Sequence, residues 1–370
     1  MDFAQILSQE LGWAYSGTAQ AVKLLEEGNT IPFIARYRKE ATGEMDEATL
    51  RKLAERLEYL KNLIKRKEEI LRLMEDLGKL TPGLAAEINK AATLQQLEDL
   101  YRPFRPKRRT RAGVAKEQGL EPLARIIADQ SLEDGVLLEI ARTYLNPEAG
   151  IDSPEAALAG ARDIVAEQVA DDPLLRELAR RVFWTKGELA AKGESGEPTP
   201  YEMYYAYREP VRSVPPHRVL AINRGEKEEV LKVKIEVPEA EIINLLYHKL
   251  VTNPASLGAQ AMWEAVEDGC KRLLFPSLER EIRNELTNRG EEQAIKVFSH
   301  NLRNLLLQTP VRNQVVLGID PGFRTGCKLA VVDETGKLLE VGVIYPHPPQ
   351  NKKQEAKEIL QAMVKKWHVK

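Results

Sequence analysis

The first 210 residues read as helix throughout, because apolar side chains recur at intervals of three and four rather than two. The stretch 46–77 carries the pattern most fully. Leu50, Leu53, Leu57, Leu60, Ile64, Leu71 and Met74 form a row broken only at Lys67, and Leu63, Ile70 and Leu77 widen it. A stripe this wide suits a helix packed in a bundle better than a two-stranded coiled coil. Asp46 is placed to cap the first turn and Gly78 to end the last. Roughly 32 residues rising 1.5 Å each predict a rod about 48 Å long. Ser153-Pro154-Glu155 is a second helix start, with a capping hydroxyl, a proline at the first helical position and an acid after it. Helical spacing follows over 157–170 and 174–184.

Pro and Gly then punctuate 192–216, which marks a boundary. Beyond it, Val219-Leu220-Ala221-Ile222 and the alternating run Val230 to Val237 flank Asn223-Arg224-Gly225-Glu226-Lys227. That arrangement predicts a β-hairpin over about 217–237. Helical spacing returns over 239–308, including 259–270, 278–288 and a further helix after Gly290. The last sixty residues change class. Strands are predicted over 315–319, 329–332 and 338–345, with a turn at Asp333-Glu334-Thr335-Gly336 and a helix over 352–366. The order β-β-β-α begins a mixed sheet that calls for more strands, so the chain reads as interrupted at its C-terminus.

A length of 370 residues predicts two to three domains. With 43% apolar and 30% charged residues, the chain is too apolar for disorder and too charged for a membrane bundle. No apolar run approaches the roughly 18 residues of a membrane span. Cys270 and Cys327 stand far apart, without disulfide-framework or zinc spacing. Met1-Asp2-Phe3-Ala4-Gln5 lacks the features of a signal peptide. The expected location is cytoplasmic. The net charge of −2 hides an uneven distribution: +4 over 1–116, −10 over 117–210 and +4 over 211–370. A basic first segment can bind a polyanion in a near-neutral chain, since association follows the local field. The acidic middle is either a solvated face or a contact for a basic protein.

Three groups of residues carry candidate chemistry. Leu317-Gly318-Ile319-Asp320-Pro321-Gly322 delivers one carboxylate at a strand end. Two-metal nucleases hold Mg²⁺ with such an Asp, and an Asp-Pro-Gly turn also simply joins strands. Second, seven basic residues and no acid lie between Arg102 and Lys116. Pro103 and Pro106 bar a regular helix there, and Tyr101 and Phe104 interleave faces on which bases can stack. Alternatively, Arg102 and Arg105 pair with acids of 117–210 and Phe104 anchors the core. Third, Arg36, Arg38 and Lys39 cluster with Tyr37, where the four-residue spacing of Phe33 and Tyr37 predicts a core pair. Lys61, Lys65, Arg66 and Lys67 are expected to face solvent or to pair with Glu58, Glu68 and Glu69. The aromatic run 201–207 reads as a boundary helix docked on the bundle. The five histidines are dispersed and read as structural. No Walker loop, nucleophile elbow or dinucleotide fingerprint occurs.

The run V-L-G-I-D-P-G-F-R-T-G-C-K-L-A-V-V-D resembles the YqgF domain, an RNase H-like relative of the RuvC resolvases. With Arg324-Thr325-Gly326 it is similar to the version in the Tex family of bacterial transcription accessory proteins, relatives of the eukaryotic Spt-type elongation factors. I-P-F-I-A-R-Y-R-K-E-A-T-G over 31–43 and L-E-D-L-Y-R-P-F-R-P-K-R-R-T-R-A over 97–112 resemble that family's N-terminal region. The resemblance implies a helical N-terminal region with helix-turn-helix character, then the YqgF domain, then a helix-hairpin-helix module and an oligonucleotide-binding barrel. This chain resembles only the part up to one helix of the YqgF domain.

The expected fold is therefore mostly α and multidomain: a long-helix N-terminal domain over 1–200, a central region over 201–310 with the β-hairpin, and an incomplete RNase H-like α/β domain over 311–370. The expected function is a non-catalytic scaffold in transcription that binds RNA or DNA largely without regard to sequence, through Arg102, Arg105, Lys107, Arg108, Arg109 and Arg111. Transcription machinery is a further expected partner, and neither a metal nor a cofactor is expected. Asp320 is a vestigial catalytic candidate, because RNase H-like sites take further acids from later elements. The alternatives are a Mg²⁺-dependent RuvC-like nuclease and a protein-interaction module.

Overall fold

The computed structural model describes residues 2–130, 132–193, 199–309, 313–322 and 325–369. It divides into two units, 1–291 and 292–370. Most of the first unit is helical. Its N-terminal part holds α1 (Phe3–Leu11), α2 (Tyr15–Glu26), α3 (Ile31–Tyr37), α4 (Glu47–Asp76), α5 (Pro82–Lys90) and α6 (Leu94–Tyr101). Then come α7 (Arg111–Glu117), α8 (Glu121–Asp129), α9 (Leu137–Arg142), α10 (Pro154–Asp171) and α11 (Pro173–Lys186).

The apolar row of 46–77 becomes α4. The Asp46 carboxylate accepts from the Thr49 amide at 2.8 Å, and Gly78 follows the helix with φ +62°. Thirty residues make it about 45 Å long. One length of its stripe packs with α1 to α3 in one core and another with α5 and α6 in a second. Of its cations, Lys61 reaches Glu26 at 2.7 Å, and Arg66 reaches Glu69 at 2.8 Å and Glu98 at 2.6 Å. Helix α10 starts where Ser153 Oγ accepts from the Ala156 amide at 3.1 Å.

The first 210 residues are not helical throughout. β1 (Glu188–Gly193) and β2 (Ala206–Pro210) pair antiparallel, and β3 (Leu231–Glu236) joins β1 on its other side, in the order β2-β1-β3. The hairpin expected over 217–237 is not formed. Its second arm is β3, but its first arm lies in α12 (Pro216–Lys227). The reason is that Val219, Ile222 and Gly225 are buried three apart, a helical face. A Cβ on Gly225 would lie 2.7 Å from Leu231, so the glycine permits the helix to rest on β3. The aromatic run 201–207 forms a single 3-10 turn (Glu202–Tyr204) leading into β2, not a boundary helix. Tyr201 and Tyr204 are buried in the core.

Helices α13 (Glu239–Leu250), α14 (Ala259–Asp268) and α15 (Phe275–Leu306) follow, with one π-helical segment (Gly269–Leu274) joining the last two. The break expected at Gly290 does not occur. Gly290 is buried within α15, where a Cβ would come within 3.1 Å of Leu220, so close packing and not termination accounts for the glycine. Phe33 and Tyr37 are also not core residues: they are 37% and 66% exposed, because α3 buries only Ile34.

In the second unit, β4 (Val316–Asp320), β5 (Cys327–Val332) and β6 (Leu338–Ile344) form an antiparallel meander in sequence order, followed by α16 (Lys353–Trp367). Cys327, Leu329, Val331 and Ile344 pack with Ala356 and Met363 of α16. The turn at 333–336 is held by the Asp333 carboxylate, which accepts from the amides of Thr335 at 2.8 Å and Lys337 at 3.0 Å. Both cysteines are free and buried. Among the described residues, no helix is long and apolar enough to cross a membrane.

Candidate nucleic-acid interface

The basic strip of 102–111 starts where α6 stops. Arg102–Phe104 make one 3-10 turn with Pro103 in it, and Arg105 then adopts an extended conformation (φ −62°, ψ 129°). The strip ends at Thr110, whose Oγ1 accepts from the Gly113 amide at 2.9 Å and caps α7. Arg111 is the first residue of that helix. Prolines and a threonine cap thus keep Arg102, Arg105, Lys107, Arg108 and Arg109 out of α-helix. Phe104 packs against the core of α4 to α6 and anchors the strip from below.

The six predicted residues separate into two sets. Arg102 is half-buried and its Nε meets Asp171 Oδ1 at 3.1 Å. Lys107 pairs with the same carboxylate and with Glu167 Oε1 at 3.2 Å. Both acids stand on the last turns of α10, and these two pairs fasten the strip to the helix. Arg105, Arg108, Arg109 and Arg111 are exposed and, among the described residues, have no ion-pair partner. The pairing with acids of 117–210 therefore reaches Arg102 and Lys107 but not Arg105.

The strip borders a cleft of about 690 Å³. Its lining includes Arg102, Arg105, Lys107, Arg108, Arg109, Arg176 and Arg280 against Glu98, Asp99 and Glu281, a clear cationic excess. Sequence reasoning missed Arg176 and Arg280. Arg176 is only 1% exposed. It donates to Asp99 Oδ1 at 2.9 Å, to the Ala170 carbonyl at 3.2 Å and to Ser277 Oγ at 3.3 Å. Burial lowers the pKa of this guanidinium and the nearby Arg102 charge lowers it further, while Asp99 opposes both. Arg180 bridges Asp99 and Glu281 beside it. The network joins α6, α11 and α15 beneath the cleft. Arg280, in contrast, is exposed and has no carboxylate partner among the described residues. No local pattern distinguishes it from the other charges of α15; only the fold brings it to the strip.

Asp320 ends β4 in an exposed position, paired in register with Lys328 of β5. Phe323 and Arg324 of the motif lie outside the described residues. Asp333, whose carboxyl the Thr335 hydroxyl and neighbouring amides hold below its usual range, is committed to its turn. Among the described residues, no group of three or more His, Cys, Asp or Glu side chains is placed to hold a metal ion.

Comparison with known proteins gives a consistent result. Residues 1–75 match the Tex-like protein N-terminal domain, residues 136–298 the Tex central region-like family, and residues 314–370 the Tex protein YqgF-like domain. The chain is 47% identical to the uncharacterized protein YdcI of Bacillus subtilis, over 99% of its own length and 51% of the relative's. It is 41% identical to Protein tex of Bordetella pertussis, over its whole length and 49% of the relative's. The human S1 RNA-binding domain-containing protein 1 is 29% identical over 94% of this chain and 36% of its own. The chain thus spans about half the length of the bacterial relatives.

Proposed function

The chain belongs to the Tex family, and on that premise we propose that it is a non-catalytic, nucleic-acid-binding scaffold of the transcription apparatus, acting in the cytoplasm. One observation carries the reading: Arg105, Arg108 and Arg109 stand exposed on an anchored strip, Arg111 is exposed at the start of α7, none of the four has an ion-pair partner among the described residues, and Arg280 lines the same cleft as the strip. Guanidinium groups so placed hold phosphates and fix register without reading bases, which accounts for binding of any sequence. Arg102 and Lys107 serve to hold the strip. The name of the human relative supports RNA as the natural polyanion. Helix-turn-helix character in α1 to α3, which pack together and against α4, belongs to the same reading.

The test is a salt titration on single-stranded and duplex RNA and DNA. Replacing Arg105, Arg108, Arg109 and Arg111 by Ala should weaken binding to all sequences alike. On duplex DNA it should also flatten the slope of log affinity against log salt by about 0.9 for each phosphate that the strip no longer neutralises. Unchanged affinity and slope would remove the strip from the account. If the chain captures transcription proteins equally well after nuclease treatment, it acts as a protein-interaction module instead.

A further inference from the structure

A second cationic surface in the same unit uses none of the residues just described. Helix α3 buries Ile34 and turns Phe33 and Tyr37 outward. Their ring centroids are 5.4 Å apart with the planes tilted by 44°. The Arg38 guanidinium lies 5.7 Å from the Phe33 centroid, and its Nη1 donates to the Tyr37 carbonyl at 3.2 Å. Arg36 and Lys39 are exposed beside them, and no acid occurs over 32–39. Lys39 approaches Glu44 at 3.4 Å, whereas Arg36 and Arg38 have no carboxylate partner among the described residues. Tyr15 offers a contrast. It too is exposed, but its hydroxyl donates to Asp2 at 2.9 Å, which gives that exposure a structural reason.

We propose that Phe33 and Tyr37 form a stacking platform for unpaired bases of a single-stranded nucleic acid, with Arg36 and Arg38 on the flanking phosphates. The proposal rests on the nucleic-acid reading above and adds the class of substrate. Aromatic faces interleaved with cations bind single strands because every base has a π-face. A duplex keeps those faces stacked inside, so the platform discriminates between the two forms. The surrounding positive charge favours a polyanion over an apolar partner. An acidic protein segment would meet the charges but has no repeating planar groups for the rings.

The experiment compares the whole chain with its Phe33→Ala/Tyr37→Ala variant on a single strand, a duplex and an abasic single strand of equal length. Single-strand affinity should fall about tenfold or more. Duplex and abasic affinities should stay within about twofold, and the salt slope should not change because every cation remains in place. A Phe33→Leu/Tyr37→Leu variant, which keeps apolar bulk, should show the same loss. Phe33→Trp/Tyr37→Trp should retain binding. If the parent chain binds no nucleic acid, the functional reading falls and the platform with it. If the parent binds and the Ala and Leu variants bind single strands as tightly, the platform alone is overturned and the patch is left as a protein contact.

Discussion

At the residue scale, the buried guanidinium of Arg176 decides how firmly the cleft is built. Asp99 neutralises both Arg176 and Arg180, and it is itself 4% exposed. Without Asp99 the buried Arg176 keeps only Glu281, at 3.5 Å, as a carboxylate partner, so its charge is poorly compensated away from water and the loss exceeds what the intact pair contributes. Asp99→Ala should therefore destabilise the first unit by about 3–5 kcal/mol, read from the midpoint of urea unfolding. A loss below about 1 kcal/mol, the range of surface pairs, would show that the network is solvated and not structural. The acid-free run from Arg102 onward was legible in the sequence, since prolines and charge are local properties. The division of that run into paired and free cations was not. Asp171 lies 69 positions from Arg102 and 64 from Lys107, a juxtaposition that only the fold creates. Phe33 and Tyr37 show the opposite error: spacing of four correctly places two rings on one helical face, but does not say which face meets the core.

At the scale of elements, long periodic segments were readable and short apolar runs were not. Helices α4 and α10 announce themselves through stripes and caps, and β4 to β6 through β-branched runs with a turn between them. Val219-Leu220-Ala221-Ile222 is four residues long, too short for its period to separate helix from strand. β1, written Glu-Leu-Ala-Ala-Lys-Gly, has no β-branched or aromatic residue and becomes a strand through its two neighbours. Glycines inside helices report close approaches. A Cβ on Gly269 would lie 2.6 Å from the Ala166 carbonyl oxygen and 3.2 Å from its Cα, so the π-helical segment rests directly on the backbone of α10. Gly269→Ala should cost about 1–3 kcal/mol through forced separation of the two helices. The control is Gly83 in α5, where an added Cβ meets nothing within 4 Å; Gly83→Ala should be neutral or stabilise by up to about 1 kcal/mol. Thermal unfolding of both variants checks the contrast, and equal melting temperatures would show that the helices do not meet this closely.

At the scale of the whole molecule, the question is whether the acid at the end of β4, in the YqgF-like segment, makes this chain an enzyme. The motif that exposes Asp320 was legible, because a strand run followed by Asp-Pro-Gly puts a carboxylate at a sheet edge. What surrounds that carboxylate was not legible. Lys328 is its register partner, Asp333 accepts through Oδ1 from the amides and hydroxyl of its own turn, and Glu340 of β6 accepts from Lys366 and Trp367 of α16. Two-metal catalysis needs several carboxylates converging on ions about 3.5–4 Å apart. A lone exposed acid holds Mg²⁺ weakly, since the ion gives up its water reluctantly. The expected outcome is that the chain, incubated with Mg²⁺ or Mn²⁺ and with branched or single-stranded DNA and RNA, leaves each substrate intact while still retarding it in a gel. Asp320→Asn should not alter that retardation, because the proposed contacts lie on 102–111 and 33–38. Cleavage by the parent chain that Asp320→Asn abolishes would make Asp320 catalytic and replace the scaffold reading with the nuclease one. Cleavage that survives the substitution would point to a contaminant or to a site elsewhere, and mapping it would begin with the cationic cleft.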